Sequence, residues 1–268
     1  MSTVGTQNAG VERIAAAFAA SGKRAALMPY LMGGFPDLAG SQRIGEAYAD
    51  GGADLVELGV PFSDPLADGP VIQAAGSRAL AAGTTLSGVL TVAAALAPRL
   101  PVVLMCYANL VLARGIDHFC ADLAAVGASG LIVPDLPLEE AGDVRAACDA
   151  AGLALVPLVA PTTPDDRLTA IGAAARGFLY TVSVTGTTGE RETLSDTFAA
   201  VVGRAKAHTE VPVALGFGIA TPEHAAHAAD AGADGVIIGS RLVRAAGEAE
   251  DPAGAVREVV AGMAQALR

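Results

Sequence analysis

The chain has 268 residues, of which 52% are apolar, and carries a formal net charge of -11. That balance excludes most nucleic-acid binding, which needs a basic footprint, and no uncharged apolar run reaches the roughly 20 residues of a membrane-spanning helix. Cys106, Cys120 and Cys148 form no CxxC pair and suit no simple disulfide framework, so they are expected to pack as small hydrophobes. The start, MSTVGTQNAGVER, lacks the basic and apolar regions of a signal peptide, and a soluble, cytoplasmic protein is expected.

A helical pattern at 11–22 comes first. The apolar run 25–33 follows, then the helical segment around 42–52 and a second run at 53–60. After it come a proline-containing loop and about 28 helical residues in two pieces, spanning 69–98. Further apolar runs stand at 101–108, 130–135, 154–159, 177–183, 212–218 and 235–240, with Ala-rich helical segments such as 117–128 and 139–152 between them. Eight continuous apolar runs alternating with helices indicate a parallel sheet covered on its outer side. Eight such units in this length predict an α/β fold of the (β/α)8 TIM-barrel kind, with an extra N-terminal helix, as a single domain over 1–268. A doubly wound open sheet is the runner-up, weakened by the strand count and by the lack of GxGxxG after the first strand. GGAD (51–54) and AGADG (231–235) each end a helix and open a strand, a weak internal repeat.

In such a barrel the chemistry lies at the C-terminal ends of the strands. In the second run, alternation sets Leu55, Glu57 and Gly59 on one face and Val56 and Leu58 on the other. If Val56 and Leu58 meet the helices, Glu57 points into the barrel mouth, where desolvation raises its pKa and lets it carry a proton. A structural carboxylate paired with an arginine or with backbone amides is the other reading. Asp68, in the loop Pro61–Pro70, stands just before a helix and could be its cap. Glycines after the last strands, Gly216 and Gly218, Gly239 with Ser240, and Thr185–Gly189, open onto helix N-termini and suit a phosphate.

The chain has two lysines, Lys23 and Lys206, neither at a strand end, so a Schiff-base aldolase finds no nucleophile. His118, His208, His224 and His227 fall in segments read as helical. The i, i+3 pair His224 and His227 has no evident third ligand for a metal and is expected on a solvated face. Breaking a carbon–carbon bond would then require the substrate to be its own electron sink, with carboxylates moving protons.

The run Glu57–Gln73, ELGVPFSDPLADGPVIQ, closely resembles the signature of the tryptophan synthase alpha chain family. Tyr107-Ala-Asn109, Pro134-Asp135-Leu-Pro137, Tyr180 with Thr185–Gly189, and Gly216–Ile219 match family segments in order, so the resemblance spans nearly the whole chain. It implies a lyase of L-tryptophan biosynthesis that cleaves indole-3-glycerol phosphate to indole and glyceraldehyde 3-phosphate. It implies Glu57 as the acid and base, and Asp68 as the group that meets the indole N–H. Gly189, Gly218, Gly239 and Ser240 match phosphate-contacting positions. Tyr180 matches a tyrosine near the carboxylates, and Tyr30, Met105 and Asp135 fall near the indole pocket. Thr187 stands where Val is commoner, and Tyr30 where many relatives have Phe. The family pattern implies no metal or cofactor on this chain, but a partner, a pyridoxal phosphate-bearing beta chain, in an alpha2-beta2 complex. A stand-alone indole-forming lyase, a phosphate-binding barrel without chemistry and a phosphosugar isomerase are the competing readings.

Overall fold

Val-, Leu- and Ile-rich runs become strands here because both of their faces are buried, one against the barrel interior and one against helices. The computed structural model describes residues 9–182, 194–216 and 218–268. The chain runs α1 (Ala9–Ala20), β1 (Ala26–Met32), α2 (Leu38–Asp50), β2 (Val56–Gly59), α3 (Pro70–Ala81), α4 (Leu86–Leu96) and β3 (Val102–Met105). Next come α5 (Ala108–Arg114), α6 (Ile116–Ala125), β4 (Gly130–Ile132), α7 (Gly142–Ala151), β5 (Ala154–Leu155), β6 (Leu158–Val159) and α8 (Asp165–Ala174). The order ends with β7 (Leu179–Val182), α9 (Leu194–Lys206), β8 (Val213–Gly216), α10 (Pro222–Asp230), β9 (Gly235–Ile238), α11 (Ser240–Glu248) and α12 (Pro252–Ala266).

All pairings are parallel, in the order β5-β4-β3-β2-β1-β9-β8-β7-β6. The two ends of that order are the two halves of one run, 154–159. Pro157 has no N–H to give, so the fifth expected strand is split, and nine strands stand where eight runs were read. The split does not open the sheet. Val156 N–H donates to Leu131 O at 2.9 Å, and Tyr180 N–H donates to Pro157 O at 3.0 Å. The ring therefore closes through this link, and the fold is a (β/α)8 barrel.

Alternation sorts the core into two shells. Leu55, Val103, Ile132, Ala154, Phe178, Ala214 and Ile237 fill the barrel interior. Val56, Leu58, Val102, Leu104 and Leu131 face outward to the helices. The extra helix α1 closes the N-terminal end. Ile14 is fully buried in the interior cluster, Phe18 packs on Phe178 with ring centroids 5.9 Å apart, and Gly10 N–H reaches Gly152 O at 2.8 Å. With the bottom plugged, the opposite mouth is the accessible end.

The GAD likeness proves chemical. Gly52 and Gly232 take positive φ, +95° and +90°, conformations that favour glycine. The Asp54 carboxylate accepts Leu27 N–H at 2.7 Å and Lys23 Nζ at 2.8 Å. Asp234 repeats this, accepting Val213 N–H at 2.8 Å and Lys206 Nζ at 2.7 Å. Both lysines of the chain thus clamp the aspartate that opens a strand to the strand beside it. His118 lies in α6, and His224 and His227 in α10, whereas His208 departs from the helical reading and sits in the turn just past α9. Among the described residues, no single helix is long and apolar enough to cross a membrane.

Candidate active site

Glu57 is built into the mouth by strand alternation. It pairs in register with Tyr30 of β1 and Val103 of β3, while Val56 and Leu58 on either side are buried against helices. Its residue is 3% exposed, and its Oε2 finds no hydrogen-bond partner among the described residues. No arginine neutralises it there, so the reading as a paired structural carboxylate finds no support. Burial first, and the nearby Asp68 second, push its pKa up to about 8. It can therefore hold a proton near neutral pH and still release it.

Asp68 arrives from the loop between β2 and α3. The cap position of α3 belongs to Gly69, with no side-chain cap bond, so Asp68 is not the helix cap that its sequence position allowed. Its backbone carbonyl accepts Gln73 Nε2 at 2.8 Å, which leaves the carboxylate to face the cavity. Burial raises the pKa of Asp68, and a hydrogen bond from Tyr107 opposes the rise. Tyr107 also fixes the loop: its hydroxyl accepts Ala67 N–H at 2.9 Å, and Phe62 stacks on its ring at 5.3 Å. The sequence reading placed Tyr107 in a matched segment without giving it a place in the site. Its side chain precedes α5, a seven-residue helix too short to show a period.

Both carboxylates line a cavity of about 320 Å³ with Tyr30, Met105, Tyr180, Ile237, Gly218, Gly239 and Ser240. Two glycines make room for the two tyrosines. A Cβ on Gly59 would lie 2.0 Å from the Tyr30 hydroxyl, and one on Gly216 would lie 2.4 Å from that of Tyr180. Burial pushes both phenols well above their ordinary pKa, so they stay neutral. Asp135 does not join this cavity. Its carboxylate accepts Ala108 N–H at 2.9 Å at the start of α5, and it lines a neighbouring cavity instead.

At the far rim, Gly218 takes φ +81°, and Gly239 caps α11 with no side-chain bond, leaving that helix's first N–H groups directed at the rim. His224 departs from the solvated face expected of it. It is half-buried, and its Nδ1 lies 3.1 Å from Gly218 O, bracing the turn after β8. Arg241 and Arg244 of α11 line the same cavity, and the sequence reading missed both. Gly189 and the segment Thr185–Gly189 lie outside the described residues.

An acid that holds its proton, a second carboxylate nearby, apolar and phenolic walls, and glycine turns at the far rim together define a barrel lyase working by proton transfer on a phosphorylated substrate. The family model for the tryptophan synthase alpha chain matches residues 17–267. Tryptophan synthase alpha chains of Prochlorococcus marinus (strain MIT 9313) and Carboxydothermus hydrogenoformans are each 50% identical, over 82% and 87% of this chain and 81% and 88% of theirs. A structure of Mycobacterium tuberculosis tryptophan synthase superposes with a TM-score of 0.87 at 38% identity, covering 96% of this chain and 98% of that one. A chain from a Pyrococcus furiosus structure, described as concerning mutual activation of the tryptophan synthase a2b2 complex, superposes with a TM-score of 0.84 at 37% identity, covering 90% and 98%. This chain belongs to the tryptophan synthase alpha chain family. Its reaction is the family's: retro-aldol cleavage of indole-3-glycerol phosphate to indole and glyceraldehyde 3-phosphate, in L-tryptophan biosynthesis.

Proposed function

We propose that Glu57 and Asp68 carry this cleavage between them. Protonated Glu57 delivers its proton to C3 of the indole, and the ring nitrogen gains positive charge. The Asp68 carboxylate accepts the indole N–H and stabilises that charge. Glu57, now ionised, takes the proton of the glycerol hydroxyl adjacent to the ring. The bond from C3 to the glycerol chain then breaks, its electron pair returns to the ring, and an aldehyde is left on the departing phosphate fragment. Tyr30, Met105, Tyr180 and Ile237 enclose the indole, while Gly218, Gly239 and Ser240, together with Gly189, hold the phosphate. The observation that carries this reading is the buried Glu57 Oε2, partnerless among the described residues and raised to about 8 beside a second carboxylate.

We infer further that the chain works in the cytoplasm as one barrel domain, 1–268. In an alpha2-beta2 complex it would deliver indole to a pyridoxal phosphate-bearing beta chain. Support comes from the Pyrococcus furiosus relative, whose structure concerns the a2b2 complex. Indole release from indole-3-glycerol phosphate tests both parts. Glu57→Gln should lower it about 100- to 10,000-fold, and purified beta chain should raise it in the parent. Activity of Glu57→Gln within a few-fold of the parent would remove Glu57 from the mechanism, and indifference to the beta chain would favour a stand-alone lyase.

A further inference from the structure

We propose that Arg241 and Arg244 form the cationic half of the phosphate subsite and select a dianionic substrate; this rests on the reading of Gly218, Gly239 and Ser240 as phosphate-binding. The chain carries a net charge of -11, and the ionisable carboxyl groups of the cavity are Glu57 and Asp68. With Glu57 protonated, a substrate bearing a phosphate dianion is repelled by the Asp68 carboxylate and by the net negative charge of the chain. Against that field, Arg241 and Arg244 are the cationic side chains of the cavity lining among the described residues.

Arg241 falls in the first turn of the nine-residue α11 and Arg244 at its middle, one turn apart on one face, while Leu242, Val243, Ala245 and Ala246 are buried on the other. A helix N-terminus favours acids and disfavours cations, and the first turn of α11 holds Arg241 with no acid to offset it. Arg24, Arg99, Arg114, Arg167, Arg176 and Arg204 have carboxylate partners, as do Lys23 and Lys206, while Arg43, Arg145, Arg257 and Arg268 have none among the described residues but lie outside this cavity. Neither Arg241 nor Arg244 makes a side-chain hydrogen bond or ion pair among the described residues, although Glu248 lies one turn beyond Arg244 on the same helix. An anion at the rim resolves all of this together: it neutralises both guanidinium groups and accepts the open N–H groups of α11. Half-buried Arg241 is suited to direct contact, and exposed Arg244 to drawing the anion inward.

Titration of the full chain with glycerol 3-phosphate tests the proposal, alongside steady-state cleavage kinetics. R241Q/R244Q should weaken glycerol 3-phosphate binding roughly 10- to 100-fold. It should raise KM far more than it lowers kcat, and it should flatten the fall of affinity with added salt. R241K/R244K, which keeps both charges, should recover most of the salt dependence. Thermal melts check that each variant folds, and the single variants Arg241→Gln and Arg244→Gln give the same reading if the double does not. Gly239→Asp separates the two layers of inference. If Gly239→Asp abolishes binding while R241Q/R244Q binds as the parent does, with the same salt dependence, the phosphate site stands and the arginine assignment is overturned. If neither change alters affinity, the phosphate lies elsewhere and both readings fall.

Discussion

A carboxyl group held near pKa 8 is a cost to the fold that shows in its pH dependence. Glu57 titrates near 4.5 when the chain is unfolded and near 8 when it is folded. Between those values the native state binds more protons than the unfolded state. The stability due to Glu57 is therefore full below the lower value and falls as pH rises toward the upper one. The slope in that window is at most about 1.4 kcal/mol per pH unit. Glu57→Gln should remove this slope, so melts from about pH 4 to about pH 9 should show the variant gaining on the parent steadily above about pH 4.5 and levelling off above about pH 8. A parallel shift at all pH values would mean that Glu57 does not titrate as the structure indicates. Asp68 behaves differently because Gly69 is the cap of α3. Asp68→Asn and Asp68→Ala should both melt within a few tenths of a kcal/mol of the parent, while single-turnover cleavage falls about 100- to 1,000-fold in each. Loss of stability in the alanine variant alone would restore the cap reading. Glu57 was legible in the sequence because period-two alternation admits one inward direction. Asp68 was ambiguous without the family resemblance, since a catalytic loop acid and a helix cap occupy the same place before a helix.

Two elements built alike need not be equally important, and the Lys–Asp clamps let this be measured. Lys23 and Asp54 are 8% and 10% exposed, whereas Lys206 and Asp234 are 42% and 34% exposed. Breaking a buried pair leaves an uncompensated charge, so Asp54→Ala should cost about 3–5 kcal/mol in urea denaturation. Asp234→Ala should cost nearer 1–2 kcal/mol, mainly the lost bond from Val213 N–H. Equal costs would show that solvent screening does not distinguish the two. The glycines of GGAD and AGADG were readable as turn signals, but their clamps were not, because each lysine lies 31 or 28 residues from its aspartate. The same limit hid the split of the fifth strand: a proline inside an apolar run marks a missing donor without saying which neighbours remain bonded. It also hid Arg241 and Arg244, which in sequence are two surface charges on an amphipathic helix and become one cavity wall only when β9 delivers α11 to the rim.

At the scale of the whole barrel, the ring is not uniformly strong. The ladders β4–β5, β6–β7 and β8–β9 are each two residues long, but the first two meet at a link that Pro157 interrupts, held by Val156 N–H and Tyr180 N–H alone among the described residues. Counting around the sheet order, β1 stands fifth from either end, directly across from that link, with β2 and Glu57 beside it. Native-state hydrogen exchange should therefore find the Val156 and Tyr180 amides opening before those of Leu58 and Met32. The reverse order would mean that the outer helices, not the ladder, set local stability. In that order of opening the barrel would part like a book, with its fore-edge at Pro157 and its spine at β1 and β2. A molecule that has begun to part along the fore-edge would still hold Tyr30 and Glu57 in register on the spine, while Tyr180, bonded at the fore-edge, would be the first of the cavity walls to leave.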